Sequence, residues 1–413
     1  MLKSIKVIKS EEFQDSNFTT INISSSVEVI GYRAFCNCRS LTTINFDYPS
    51  SIERIGKEAF YGCSALNSIN IPSSVKTIGD LAFYDCRSLV SIDVPSSVER
   101  LGKDVFHNCS SLTLINMPAS CKIISEWAFH NCTNLGSIDI PSSVERIERH
   151  AFSCCSSLTS INIPSSVKTI GKWAFINCSS LGSINIPPSI ESIGKEAFWD
   201  CSSLTSINLP SSIKIIGIGA FHHCSSLVSI DIPSSVIRIE EETFSGCSSL
   251  ASINISSSVK TIGGEAFHDC SSLVNINIPS SVKRIEEEAF CGCSSLSEVY
   301  LSRNTNFEQS TFPDNVRLTY GWHKVGPYIL LRDLIKKHRA CARPLNAHDV
   351  LNLRIIQTFL TNSNDDIFRN VMEFLTYSKK NDFDNMSDTD TSEYNYFQSS
   401  DDYMSDTDTS EEQ

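Results

Sequence analysis

The sequence lacks the segments that would place a protein in or across a membrane. No run of 18 apolar residues is present, whereas a helix that spans a bilayer needs about 20. The opening residues, Met1 to Lys6, are not followed by the apolar stretch of a secretory signal peptide. We therefore expect no membrane span and a cytoplasmic location, with a nuclear location or non-classical surface exposure as alternatives.

Motifs that carry enzymatic chemistry are also missing. The sequence contains no phosphate-binding Gly-x-x-x-x-Gly-Lys-Ser/Thr loop, no dinucleotide-binding Gly-x-Gly-x-x-Gly after a strand, no His-Glu-x-x-His and no Gly-x-Ser-x-Gly. Its many serines fit turns and ladders, where serine hydroxyls hydrogen-bond locally. We predict that the chain is not an enzyme, that it has no catalytic or metal-binding residues, and that it needs no cofactor.

Cysteine, in contrast, is abundant. The 17 cysteines are an odd number and cannot all pair within one molecule. Twelve of them, from Cys38 to Cys293, end a recurring pattern that reads Ala-Phe-x-x-Cys in most copies. From Cys63 onward, successive members of this set are 23 residues apart. A period of about 20 to 29 residues built on spaced Leu and Ile is typical of a leucine-rich repeat solenoid.

The full repeat reads Leu-x-x-Ile-x-Ile-Pro-x-x-Val-x-x-Ile-Gly-x-x-Ala-Phe-x-x-Cys. This pattern resembles the BspA-like class of leucine-rich repeats, which occurs in bacterial surface proteins and in many unicellular eukaryotes. The resemblance covers residues 18 to 315 and recurs in register twelve times. It implies a curved solenoid that is used for binding, without implying a particular partner.

One repeat can also be read from its own residues. In Leu181 to Ile186 the first, fourth and sixth residues are apolar, as in a half-buried strand, and Val167 to Ile170 gives a second short extended segment. The following Ala-Phe pair fits a short helical or 3₁₀ turn. Because one unit cannot bury these groups alone, the units must stack. We predict an α/β repeat solenoid, a right-handed leucine-rich repeat superhelix with a parallel β-sheet and about 12 or 13 repeats, over residues 18–318, preceded by an N-terminal cap at 1–17.

The exposed fifth place of the first strand is nearly constant. It holds Asn or Asp in every repeat, and stacked amides can hydrogen-bond from one repeat to the next. This pattern favours a structural ladder, with a repetitive ligand-binding face as the alternative. The ladder residues are Asn70, Asp93, Asn116, Asp139, Asn162, Asn185, Asn208, Asp231, Asn254 and Asn277.

The residue that follows Phe is the most variable place of the repeat. Variation on a constant scaffold is where binding specificity can be encoded, and Tyr and Trp are frequent contact residues. The alternative is a partly exposed position under weak constraint. His107 and His130 are one repeat apart, but no third metal ligand accompanies them. The candidate partner-binding residues are Tyr61, Tyr84, His107, His130, Trp199, His222 and His268.

Two further segments follow the repeats. Residues 319–380 have apolar residues at helical spacing, so we predict a helical C-terminal cap there. Residues 381–413 contain eleven acidic residues and no Lys or Arg, which predicts a disordered acidic tail and accounts for most of the net charge of -13. Four hydroxyls in the tail have an acid three residues later, as acidophilic kinases prefer: Ser387, Ser399, Ser405 and Thr409.

The sequence therefore predicts a non-catalytic protein–protein interaction scaffold that uses the leucine-rich repeat surface. The alternative is a cell-surface adhesion or recognition protein of the BspA-like type. We expect one or more protein partners, no nucleic-acid partner, and a monomeric chain.

Overall fold

The computed structural model describes residues 5–320, which form a parallel β-solenoid of about 14 turns with the leucine-rich repeat fold. Each turn, called a rung here, contains two short strands joined by tight turns. Neighbouring rungs pair in parallel, so that residues one repeat apart lie side by side, as Ser183 does with Ser160 and Ser206. The predicted repeat solenoid is thus confirmed for the described residues.

The first strand of each rung carries the Ser-Ile-Asn type of sequence. Its central Ile faces the core, whereas the residues on either side are mostly exposed, which follows from the two-residue period of a strand. The sixth rung keeps only a single bridge at Asp139. The first strands are Thr20–Ile23, Thr43–Phe46, Ser68–Asn70, Ser91–Asp93, Leu114–Asn116, Ser160–Asn162, Ser183–Asn185, Ser206–Asn208, Ser229–Asp231, Ser252–Asn254, Asn275–Asn277, Glu298–Leu301 and Arg317–Tyr320.

The second strand of each rung is two residues long and ends in a buried Ile or Leu. The second strands of neighbouring rungs also pair in parallel. Thr169, for example, pairs with Arg146 on one side and with Ser192 on the other. The second strands are Val7–Ile8, Val29–Ile30, Arg54–Ile55, Thr77–Ile78, Arg100–Leu101, Ile123–Ile124, Arg146–Ile147, Thr169–Ile170, Ser192–Ile193, Ile215–Ile216, Arg238–Ile239, Thr261–Ile262 and Arg284–Ile285.

The Ala-Phe segment forms a hydrogen-bonded turn instead of a helix. Around Phe175, backbone N–H groups donate alternately within the rung and to the next rung. The N–H of Ile176 donates to the carbonyl of Trp173 in the same rung, and the N–H of Phe175 donates to the carbonyl of Ala197 in the next rung. The residues two before and two after Phe, here Trp173 and Asn177, have φ of 57° and 59°. An α-helix cannot contain such residues.

The predicted α/β class is therefore wrong for the described residues. Their only helical element is the short 3₁₀ helix Gln309–Thr311, so the fold there is a β-solenoid. The predicted helical cap at 319–380 lies outside the described residues, except for Thr319 and Tyr320, which end the last strand. The predicted acidic tail at 381–413, with its four candidate phosphorylation sites, also lies outside them.

The core is a set of parallel columns, one residue type per column. The Phe of each rung from Phe35 to Phe290 is fully buried, and neighbouring Phe rings stack with centroids 5.0 to 5.7 Å apart from Phe35 to Phe312. Each of the twelve repeated cysteines donates its thiol hydrogen to the carbonyl of Phe on the preceding rung, at 3.0 to 3.3 Å. A small side chain with a weak donor therefore suits this column.

The N-terminal segment is part of the solenoid. Val7 and Ile8 pair with the second strand of the next rung, and the N–H of Phe13 donates to the carbonyl of Ala34, the bond that Phe35 to Phe290 also make to the next rung. Phe13 also begins the Phe stack, with its ring centroid 5.3 Å from that of Phe35. Much of the segment 5–17 is thus an incomplete rung, and its role as the N-terminal cap of the solenoid stays a prediction.

Candidate interaction surface

Each Phe turn presents two variable side chains beside the buried Phe ring. One is the residue directly after Phe, and the other is the residue two before it. The residue two before Phe has a positive φ, which directs its side chain toward the side chain of the residue after Phe. Trp127 shows this arrangement, because its ring contacts that of His130 with centroids 4.8 Å apart. The two positions form adjacent columns along the solenoid.

The predicted binding residues of the second to fifth rungs form one continuous stack. The rings of Tyr61 and Tyr84 are parallel, with centroids 4.8 Å apart. The imidazole of His107 lies 4.4 Å from the Tyr84 ring and 4.4 Å from that of His130, centroid to centroid. The structure therefore brings together four residues that are separated by 23 positions each in the sequence.

The stack continues in the neighbouring column, through residues that the sequence analysis did not select. The ring of Trp127 stacks on that of His150 at 3.7 Å, and His150 stacks on Trp173 at 4.9 Å. On the sixth rung the place after Phe holds a small residue, Ser153, which is only 2% exposed. The large rings thus move to the neighbouring column at the rung where the residue after Phe is the small Ser153.

A second aromatic run follows on the next two rungs. The ring of Trp199 stacks on that of His222 at 3.9 Å, and His223 lies beside His222 at 4.2 Å. Glu196 connects the two runs, because it accepts a hydrogen bond of 2.8 Å from the indole N–H of Trp173 and lies on the same rung as Trp199. We call the two runs together the ridge: Tyr61, Tyr84, Trp127, His107, His130, His150, Trp173, Trp199, His222 and His223.

His268, the remaining candidate, lies apart from the ridge. The buried Ser245 occupies the rung between it and His222. Its closest polar neighbour is the carboxylate of Asp269, 3.3 Å from Nδ1. The structure therefore groups six of the seven predicted partner-binding residues and separates the seventh.

The imidazoles of the ridge have few polar partners. Nδ1 of His107 lies 2.9 Å from the Asp104 carboxylate, whereas the buried Nδ1 atoms of His130, His150 and His222 have no hydrogen-bond partner within the described part of the chain. Burial lowers the pKa of each of these three histidines from 6.5 to about 4. At neutral pH these rings are therefore uncharged and pack as flat, weakly polar groups.

The predicted Asn and Asp ladder lies on a different surface, which we call the strand face. All ten side chains are exposed, nine on the first strands and Asp139 at the isolated bridge. Where the strands pair, these residues are direct neighbours, as Asn162, Asn185 and Asn208 are. Asn116 donates a side-chain hydrogen bond to Asp93, and Asn45 donates one of 2.8 Å to Asn22. A structural ladder remains a proposal for this face.

The two surfaces differ in what they can bind. The ridge offers large, half-buried rings in contact with one another, while the strand face offers short polar side chains on a regular backbone. Among residues 5–320, no three His, Cys, Asp or Glu side chains are grouped so that they could hold a metal ion. Within that same range, no helix has both the length and the apolar character needed to cross a bilayer.

The comparisons with known proteins agree on the fold. Residues 1–113, 102–228 and 214–320 match a family model described as a BspA type leucine-rich repeat region, in six copies. A leucine-rich repeat protein from Bacteroides ovatus is 32% identical, with a TM-score of 0.65, over 73% of this chain and 84% of that one. A leucine-rich cell surface protein from Faecalibacterium prausnitzii is 30% identical, with a TM-score of 0.48, over 72% and 83%. No curated protein matches the sequence.

Proposed function

The chain belongs to the BspA-type leucine-rich repeat family, and from this premise we propose that it is a non-catalytic scaffold that binds a protein partner through the ridge. The family membership supports a repeat scaffold, and the ridge supplies a surface that the repeat alone does not require. The place two before Phe, which holds Trp or His in the middle of the ridge, holds Glu58, Leu81 or Gly219 in other rungs. The backbone φ is positive there as well, so the repeat does not need a large ring at this place.

The observation that carries the proposal is the concentration of Tyr, Trp and His in one strip. Tyr and Trp are enriched at the energetic centres of protein interfaces, because they bury a large area at a small cost in side-chain entropy. The strip extends over eight rungs, so its length is about 34 Å at a strand spacing of about 4.8 Å. This length suits an interface of ordinary size better than a pocket for a small molecule.

Affinity capture with the full-length chain tests this proposal. Wild-type protein is compared with a ridge variant, Tyr84→Ala with Trp199→Ala, and with a strand-face variant, Asn185→Ala with Asn208→Ala. We expect a partner that the wild type and the strand-face variant capture and the ridge variant loses. If the ridge variant still captures the partner and the strand-face variant does not, the strand face and not the ridge is the binding surface.

The cysteines bear on where the scaffold operates. All 16 described cysteines have free thiols, and only Cys154 and Cys291 are partly exposed. Burial raises the pKa of the column thiols, to about 11 for Cys38 and about 12 for Cys293, which keeps them protonated and unreactive at neutral pH. A cytoplasmic location fits such thiols, whereas a role as a cell-surface adhesion protein is the alternative.

A thiol count distinguishes these two locations. In protein taken from its native source, we expect at most a few thiols to react with a thiol reagent before unfolding, and all 17 to react in denaturant. Extensive disulfide pairing, or added glycan mass, would instead favour the cell-surface role.

A further inference from the structure

The middle of the ridge contains three histidines in mutual contact. The imidazole centroids of His107 and His130 are 4.4 Å apart, and those of His130 and His150 are 6.5 Å apart. Trp127 contacts all three rings, at 5.9, 4.8 and 3.7 Å respectively. Tyr84 covers the outer side of His107 and Trp173 that of His150, so the cluster is enclosed on both sides along the solenoid.

Only one carboxylate is placed to balance a charge inside this cluster. Asp104 contacts Nδ1 of His107, but the Nδ1 atoms of His130 and His150 are buried and have no partner among the described residues. A neutral imidazole tolerates one unpartnered ring nitrogen at a modest cost. An imidazolium ion must hydrate or pair both of its N–H groups, so it cannot stay in the same place.

The surrounding charges do not supply the missing partner. Glu126 is engaged by Lys103 at 2.9 Å and by Arg149 at 3.7 Å. Burial and Arg149 disfavour a positive charge on His150. Their effect is larger than the opposite effect of Glu126 and Glu196, so the pKa of His150 is lowered. Glu196 accepts the indole N–H of Trp173 and the ammonium of Lys195. The carboxylates near the cluster are therefore already committed to other groups.

We propose that this histidine–tryptophan cluster is an acid-sensitive segment of the ridge, which separates its stacked rings when the imidazole of His130 or His150 takes up a proton. At neutral pH the rings of His130 and His150 are neutral and hold the central rungs of the ridge in one stack with Trp127. In acid, charges on His130 and His150 have no hydrogen-bonded carboxylate among the described residues, and they repel one another at short range. The rings then turn outward and the binding strip is interrupted at its centre.

The direction of the effect follows from linkage. His130 and His150 have lower pKa values in the packed state than the ordinary histidine pKa of 6.5. Above pH 6.5 both rings are neutral in either state, so protonation does not oppose packing there. As the pH falls below 6.5, the open state binds protons first, and the packed state follows only near pH 4. The packed cluster of the free chain therefore loses stability over this window.

Circular dichroism of the full-length chain tests the inference. The near-ultraviolet signal reports the packing of aromatic rings, and the far-ultraviolet signal reports the backbone. We expect wild-type protein to lose a substantial part of the near-ultraviolet signal between pH 6.5 and 4, with the far-ultraviolet signal retained. A near-ultraviolet signal that is constant over this range would overturn the proposal.

Two variants distinguish the cluster from general acid sensitivity. His130→Phe with His150→Phe keeps two rings but removes both protonation sites, so we expect the acid transition to disappear or to move down by about one pH unit, the size of an ordinary electrostatic pKa shift. His268→Phe, outside the ridge, should behave as the wild type does. If the double variant does not fold, the single variant His150→Phe replaces it. A transition that is unchanged in the cluster variant would contradict the proposal.

Discussion

Replacing Phe175 by Ala is expected to lower the free energy of unfolding by about 3 to 5 kcal/mol, the cost of removing a fully buried aromatic ring from a core. The Phe175 ring is inaccessible to solvent and stacks on Phe152 at 5.3 Å and on Phe198 at 5.4 Å, measured between centroids. Because these neighbours belong to different rungs, the cavity weakens both rung interfaces at once. Urea unfolding followed by far-ultraviolet circular dichroism measures the change.

A matched substitution on the same turn controls for the local backbone. Lys172 is exposed, so Lys172→Ala should change the stability by less than about 0.5 kcal/mol. Hydrogen exchange should show that the weakening caused by Phe175→Ala is greatest on the sixth to eighth rungs. A cost below about 1 kcal/mol for Phe175→Ala would mean that the Phe column does not hold the rungs together.

The second large effect concerns binding. Replacing Trp199 by Ala is expected to weaken the affinity for the protein partner by about 30-fold, or about 2 kcal/mol, the size of an interface hot spot. The Trp199 ring is half-buried and stacks on His222 at 3.9 Å, so it is already ordered before a partner arrives. The dissociation constant, measured by titration of the captured partner, reports the effect.

The controls for this prediction lie on the two surfaces. Trp199→Phe keeps an aromatic ring and should recover most of the affinity. Asn185→Ala, on the strand face, should change the dissociation constant by less than about threefold, as peripheral contacts do. An affinity that is unchanged in Trp199→Ala would remove Trp199 from the interface.

The strands of the solenoid could be predicted because their signal is repeated in every rung. The alternation of Ser-Ile-Asn fixes which side chain is buried, and the 23-residue period fixes which residues pair. The helical turn was predicted wrongly because its apolar spacing, as in Ala174 and Phe175, does not distinguish a helix from a chain of tight turns. The useful signal was Asn, Asp or Gly two places after Phe, since these residues tolerate positive φ.

The same backbone position explains a misleading motif. Asn108, Asn131 and Asn177 each begin an Asn-x-Ser/Thr sequence, which in a secreted protein would suggest glycosylation. All three have φ near 58° and precede a column cysteine and a turn residue, so the motif follows from the geometry of the turn.

The candidate surface could be predicted only in part. Aligning the residues after Phe identified Tyr61, Tyr84, His107, His130, Trp199 and His222, because a parallel solenoid places residues one period apart side by side. Trp127, His150 and Trp173 were missed because a helical turn would have directed the residue two before Phe elsewhere. Once the positive φ at that position is known, the two columns combine into one strip.

Oxidative footprinting of the full-length chain, with and without its captured partner, tests the central claim most directly. Hydroxyl radicals modify exposed aromatic and imidazole side chains, so burial by a partner appears as reduced oxidation at individual residues. The ridge account predicts protection of Tyr61, Tyr84, Trp127, Trp173 and Trp199 together, with Tyr48 and Tyr300, which lie outside the ridge and are exposed, unchanged. Protection of Tyr300 on the strand face, with the ridge as reactive as in the free chain, would contradict it.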